Sequence, residues 1–219
     1  MSSLSVVSLA VNHLQGTLTP DLGLALPNLQ DFFIGLNRFY GPIPSSIGNA
    51  STLFRIDIGG NSINGPTPKS LGNLNDLEVF KTYDNPLGTY SGNELNNIMD
   101  TLSNCSNLRV LSSGANNLSG LLPHSIANLS KFLIELDLRE NYISGSIPVG
   151  IENLLNLQFF TVVDNMFSEN KLEERIPDSL GNCKRLLLID LDSNKLTGMI
   201  PGPIFELSSL SIGLFLGRN

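Results

Sequence analysis

One asparagine recurs along the whole chain, at Asn12, Asn37, Asn61, Asn85, Asn116, Asn141, Asn165, Asn194 and Asn219, with intervals of 25, 24, 24, 31, 25, 24, 29 and 25 residues. A period of this length constrains the fold more than any local propensity. Each period is one supersecondary unit that cannot bury its apolar face alone and must stack on its neighbours. Apolar residues tend to sit eight, five and three positions before each asparagine, as Leu53, Ile56 and Ile58 do before Asn61. After it come an apolar residue at +2, often glycine at +4, then an apolar residue and proline at +6 and +7. Asn141 is followed in this way by Ile143, Gly145, Ile147 and Pro148. The unit reads LxxLxLxxNxLxGxIPxxLGNL.

The LxL core predicts a short strand whose alternate side chains point inward. Stacked units then make one long parallel sheet. The chain turns sharply at each asparagine, and a carboxamide can both donate to and accept from the backbone groups that the turn leaves inside. Glycine at +4 permits angles other residues resist, and proline at +7 ends pairing and fixes φ for the return path. The predicted fold class is α/β: a right-handed solenoid with a parallel sheet on its concave face and turns or 3-10 segments on its convex face. All 219 residues read as a single domain of about nine repeats.

Composition agrees. Leucine accounts for 39 residues and asparagine for 25. Thirteen basic against twenty acidic side chains give a net charge of −7, which leaves no footprint for nucleic acid. No apolar run reaches the roughly 18 residues of a membrane span. The opening MSSLSVVSLAV lacks a basic n-region and a small-x-small cleavage site, and fits the repeat, so it reads as structure rather than as a signal peptide. Two histidines, His13 and His124, have neither metal-ligand spacing nor a nucleophile motif beside them. No cofactor, metal or catalytic group is expected.

The pattern resembles the plant-specific leucine-rich repeat over essentially the whole chain. The stretches GPIPSSIGNASTL (41–53), LSNCSNLRVL (102–111) with LSGLLPHSIANLS (118–130), and SLGNCKRLLLIDLDSNKLTGMIP (179–201) are similar to the ectodomains of plant leucine-rich-repeat receptor-like kinases. The similarity is greatest to the subfamily of the receptor for bacterial elongation factor Tu and related rice immune receptors. The resemblance implies a non-enzymatic module for ligand perception in immunity or development. It implies peptide or protein ligands, a co-receptor partner, and an extracellular setting at the plasma membrane or apoplast. Any serine/threonine kinase domain and membrane anchor of a parent receptor would lie outside these residues. A stand-alone inhibitor of a microbial enzyme, of the polygalacturonase-inhibitor type, is the alternative. The capping helix and cysteine pairs usual in the family are absent, so the chain reads as an internal piece or a truncated gene product, with end-to-end self-association expected.

Two intervals are long. In the repeat spanning 86–116, Ser91 and Glu94 form an S-x-x-E capping pattern, and Leu95, Ile98, Met99 and Leu102 follow at helical spacing, which predicts a helix near 93–102. In the irregular repeat 166–194, Asn165-x-Phe167 and Asn170-x-Leu172 offer two overlapping registers, and a five-residue flank loop is expected.

The concave face is the usual binding surface of a solenoid. Candidate ligand-binding residues on it are Arg55, Asp57, Lys81, Tyr83, Arg109, Glu135, Asp137, Arg139, Asp164, Asp190 and Asp192. With Glu140, the C-terminal half is acidic and predicts a peptide carrying basic groups. Asp137, Asp164 and Asp190 are expected to follow one peptide on successive strands. Four sequons, at Asn49, Asn104, Asn117 and Asn128, are glycosylation candidates. Cys105 and Cys183 occupy equivalent slots three repeat steps apart, roughly 14 Å at the strand spacing and beyond disulfide reach, which predicts free buried thiols.

Overall fold

The computed structural model describes residues 2–88, 93–165 and 175–219. Among them, nine short strands form one parallel sheet: Val6–Ser8, Asp31–Phe33, Arg55–Asp57, Val79–Lys81, Val110–Ser112, Glu135–Asp137, Phe159–Thr161, Leu188–Asp190 and Gly213–Phe215. The order in the sheet is the order in the chain, and each strand pairs in register with the next. Register is set by burial. The middle residue of each strand points inward, and Phe32, Ile56, Phe80, Leu111, Leu136, Phe160 and Ile189 join one continuous core. A one-residue slip would turn that row out to water.

The ladder asparagines close each turn. Asn61 Nδ2 donates to Ile58 O (3.0 Å) and Gly59 O (3.3 Å) of its own turn and to Ile34 O (3.1 Å) of the preceding one, while its Oδ1 accepts from Phe39 N (2.9 Å). The same arrangement recurs at Asn37, Asn85, Asn116, Asn141, Asn165 and Asn219. Asn194 donates in the same way, to Val162 O and Leu191 O. Among the described residues its Oδ1 has no hydrogen-bond partner. Among the described residues Asn12 binds only its own turn.

The residue before each asparagine is left-handed. Val11, Leu36, Gly60, Asp84, Ala115, Glu140, Asp164, Ser193 and Arg218 all have φ between 50° and 65°. The glycines at +4, among them Gly41, Gly65, Gly145 and Gly198, are also at positive φ, between 79° and 82°. Beyond the asparagines the chain extends again. Gln15–Thr17, Arg38–Gly41 and Ser62–Ile63 form a small parallel sheet on the flank, and Ser119–Leu121 pairs with Tyr142–Ser144 in another. These flank sheets are an addition to the expected single sheet.

Proline then starts the convex turns. Pro44, Pro68, Pro123, Pro148 and Pro177 precede the 3-10 segments Ser45–Asn49, Lys69–Asn73, His124–Asn128, Val149–Asn153 and Asp178–Asn182. Each proline carbonyl accepts from the amide three residues on, as Pro44 does from Ile47 (3.0 Å). The long repeat replaces its 3-10 segment with the helix Glu94–Leu102, which buries Leu95, Ile98, Met99 and Leu102 between the neighbouring convex turns. Glu94 is the first helical residue, after the N-cap Asn93, and not the third that a capping box requires. It is buried, and its Oε2 accepts from Ser119 Oγ (3.0 Å). Ser91, Phe167, Asn170 and Leu172 lie outside the described residues. Cys105 and Cys183 are free and buried, as the register demands; each thiol donates to a carbonyl, Leu71 O (3.5 Å) and Ile151 O (3.3 Å).

Candidate functional site

The outward positions of the strands form columns along the concave face, because each repeat pairs in register with the next. The column four residues before the asparagines holds Ser8, Phe33, Asp57, Lys81, Ser112, Asp137, Thr161, Asp190 and Phe215. It is less exposed than its outward direction suggested. Ser112 and Asp137 are buried, and Asp57, Lys81, Thr161 and Asp190 are half-buried. The cause is local bonding across short strand spacings. Asp137 Oδ2 accepts from Ser112 Oγ (3.3 Å), Asp137 Oδ1 accepts from Arg139 N (3.2 Å), and the Arg139 guanidinium stands 3.6 Å away. Asp137 is therefore already partnered, and the expected strip of Asp137, Asp164 and Asp190 is corrected. Asp164 sits in the left-handed position beside its asparagine, in a different column from the other two.

Arg55 is also engaged. It forms a two-point pair with Asp31, Nε to Oδ1 at 2.5 Å and Nη2 to Oδ2 at 2.8 Å, and its guanidinium lies over the rings of Phe33 and Phe54, 5.6 and 4.9 Å from their centroids. Sequence reasoning missed Asp31. The signal was there: Asp31 and Arg55 occupy the same column one repeat apart, so in-register stacking puts opposite charges side by side. Asp57 Oδ1 accepts from Gly59 N (3.1 Å). Gly59 is glycine because the Tyr83 ring lies on it; a Cβ there would meet Tyr83 Cε1 at 2.4 Å. Burial and the charges of Asp57 and Asp84 push the Tyr83 hydroxyl upward. Lys81 is half-buried and Arg109 exposed, and neither forms an ion pair among the described residues. Glu135 is half-buried on the rim.

The acidic end differs. Asp190 Oδ1 accepts from Asp192 N (3.3 Å), and Asp192 stands 3.6 Å from the exposed Arg218 guanidinium. Burial pushes the Asp190 carboxyl up; the Asp192 amide opposes this, and the like charges of Asp192 and Asp164 add to it. The charges of Asp164 and Asp192 thus act on Asp190, and the three carboxylates form a place where a ligand cation would be held. Among the described residues no group of three or more His, Cys, Asp or Glu could hold a metal ion, and no helix is long and apolar enough to cross a membrane.

The family model described as Leucine Rich Repeat matches residues 52–74 and 132–154. The receptor-like protein kinase At3g47110 of Arabidopsis thaliana is 43% identical over 141 residues, which are 64% of this chain and 14% of that protein. The LRR receptor-like serine/threonine-protein kinase EFR of Arabidopsis thaliana is 47% identical over 74 residues, 34% of this chain and 7% of the relative. The chain thus spans at most about one seventh of these relatives, 14% and 7% of their lengths. Among solved structures, the ectodomain of the Arabidopsis receptor kinase HAESA, in complex with an N-terminally extended IDA peptide hormone, overlays with a TM-score of 0.82 at 33% identity, covering 95% of this chain and 33% of that one. HAESA has also been solved with IDA and the co-receptor SERK1; that structure overlays with a TM-score of 0.53 at 27% identity, over 90% of this chain and 39% of that one.

Proposed function

We propose that this chain, a leucine-rich-repeat solenoid resembling the ectodomains of plant receptor-like kinases, recognises an extended peptide along its concave sheet, on the extracellular side of the plasma membrane or in the apoplast. The carrying observation is the carboxylate group Asp164, Asp190 and Asp192. The like charges of Asp192 and Asp164 both bear on Asp190, which has no cation within ion-pair distance among the described residues, whereas Asp31 nearer the N-terminus is paired with Arg55. A lysine or arginine of the ligand relieves that repulsion. Phe33, Phe54 and Tyr83 supply apolar contact at the other end, with Lys81 and Arg109 available for an acidic group of the same peptide. Strand columns at a spacing of about 4.8 Å present side chains in rows along which an extended chain can lie. The peptide bound by HAESA supports this mode of recognition.

Titration of the protein with a panel of short peptides differing only in the number of lysines tests the reading. Affinity is expected to rise with lysine count and to fall with salt. Asp164→Lys with Asp190→Lys should weaken the best peptide about tenfold or more, as expected when attraction at contact distance becomes repulsion. Unchanged affinity in that variant, with loss on the convex changes Glu152→Lys and Asp178→Lys, would move the site off the concave face.

A further inference from the structure

The convex turns end on an asparagine slot whose members behave differently. Asn49 Nδ2 donates to Ser46 O (3.0 Å), Asn153 Nδ2 to Ala127 O (3.4 Å) and Asn182 Nδ2 to Glu152 Oε2 (2.8 Å). Asn128, the last residue of the turn His124–Asn128, is exposed, and its carboxamide makes no hydrogen bond among the described residues. It begins the sequon Asn128-Leu129-Ser130. A second oddity lies four residues on. The slot nine residues before the ladder asparagines holds Asn28, Thr52, Asp76, Asn107, Asn156 and Arg185, but Phe132 before Asn141 and the half-buried Leu210 before Asn219. The polar members bond along the flank: Asn107 to Asp76 (2.9 Å), Asn156 to Lys131 O (2.7 Å) and Arg185 to Asn156 (2.7 Å). Phe132 breaks this run and is 53% exposed, with Leu155 beside it on the flank at 58%. Asn128, Phe132 and Leu155 line one open groove of about 690 Å³.

We infer that Asn128 is an N-glycosylation site and that the first sugar of its glycan lies in this groove with its apolar face on Phe132. The inference rests on the extracellular setting proposed above. In the transfer, Asn128 Nδ2 forms a bond to C1 of an oligosaccharide carried on a polyprenyl diphosphate. The C1–O bond to phosphate breaks, the lipid diphosphate leaves with the electron pair, and one amide proton is lost to base. Transfer precedes folding of this turn, because Ser130 Oγ is engaged in the folded chain, donating to Ser106 O (2.7 Å) and accepting from Phe132 N (3.1 Å). The other sequons fit less well. Asn49 uses its amide within its own turn. Asn117 is half-buried, and its sequon serine, Ser119, is buried against Glu94. Asn104 is exposed, with its amide unbonded among the described residues, but the polar Asn107 stands where Asn128 has its phenylalanine. An exposed ring between the polar Asn107 and Asn156 of its column is covered by the pyranose C–H groups of a sugar without loss of the groove's polar rim.

The test is site-resolved mass spectrometry of the full chain, secreted from a glycosylating eukaryotic host behind a cleavable leader. Asn128 is expected to be occupied in most secreted molecules and to convert to aspartate on enzymatic release. Native-state release from Phe132→Ala should be about threefold faster than from wild type, the change expected when about 30 Å² of apolar contact returns to water, with occupancy unchanged. Asn128→Gln should lose that glycan and keep basic-peptide binding, since the groove lies off the concave face. A secreted pool with Asn128 bare and Asn49 or Asn117 occupied overturns the site assignment. Equal release rates in wild type and Phe132→Ala overturn the contact. Occupancy at Asn128 in a protein that binds none of the peptides leaves this inference standing and removes the recognition reading.

Discussion

The ladder asparagine is where one residue does most to set the structure. Asn141 is buried and spends its whole carboxamide: Nδ2 donates to Ser113 O (3.0 Å), Leu138 O (3.1 Å) and Arg139 O (3.0 Å), and Oδ1 accepts from Leu118 N (3.0 Å). Asn141→Ala leaves the Leu118 amide unpaired away from water and takes one of two hydrogen bonds from each of Ser113 O, Leu138 O and Arg139 O, and is expected to cost about 1–3 kcal/mol. Asn12→Ala, at an exposed residue bonded only to Leu9 O and Ala10 O among the described residues, should cost much less. Urea denaturation of the two variants measures both, and equal losses would mean that cross-repeat bonding contributes nothing. The ladder was legible because one residue type repeats at one spacing. The left-handed position before it was not. Val11, Leu36, Asp84, Ala115, Glu140 and Arg218 share φ near 50–60° but no chemistry, since the bonds made by the following asparagine, and not the side chain, impose the angle. Asp31 was missed for a different reason: its role exists only when two columns are laid side by side.

At the scale of elements, helical spacing of Leu95, Ile98, Met99 and Leu102 made the helix Glu94–Leu102 readable, while the flank sheets were hidden. Strands of two to four residues built partly from glycine and serine carry no alternating apolar pattern, and they exist because their neighbours hold them in register. The slot after each convex turn is where the cysteines belong. Ala50, Leu74, Leu154 and Ser130 fill it elsewhere, so it accepts small or apolar groups. Burial pushes the Cys105 thiol up to about 11; the Cys183 thiol is pushed to about 12, by burial and then by Glu152, against an ordinary value of 9.0. The folded chain therefore keeps both protons where the unfolded chain has lost them. Stability is unaffected by these groups below pH 9 and falls as pH rises from 9 towards 11 and 12. Denaturation midpoints measured at pH 8, 9.5 and 10.5 should drop faster for wild type than for Cys105→Ala with Cys183→Ala, which puts at both positions the alanine that Ala50 already supplies in the same slot. Identical pH profiles would show that the thiols are hydrated in the folded chain.

The whole molecule is a stack, and its energetics follow from that. Sheet order equals chain order, so among the described residues each repeat packs on the repeats before and after it, and stability is close to a sum of repeat and interface contributions. The columns of the concave face were legible from the same arithmetic. Their exposure was not, because close in-register packing lets Asp137 and Arg55 satisfy themselves on neighbours before any ligand arrives. A stack also dictates how damage spreads. Leu136 is fully buried at the centre of the sheet, and Leu136→Ala removes contacts to both adjoining strands, at a cost of about 2–5 kcal/mol. Val7 is only partly buried and pairs on one side, so Val7→Ala should cost clearly less. The central lesion does more than lower stability: it weakens the coupling between the repeats on its two sides. Unfolding of Leu136→Ala is expected to broaden, with amides in the strands Arg55–Asp57 and Leu188–Asp190 exchanging hydrogen at rates that diverge from one another, while in the wild-type chain they report one shared opening. A sharp transition in Leu136→Ala, with both strands still exchanging together, would mean that cooperativity spans the stack rather than passing from neighbour to neighbour.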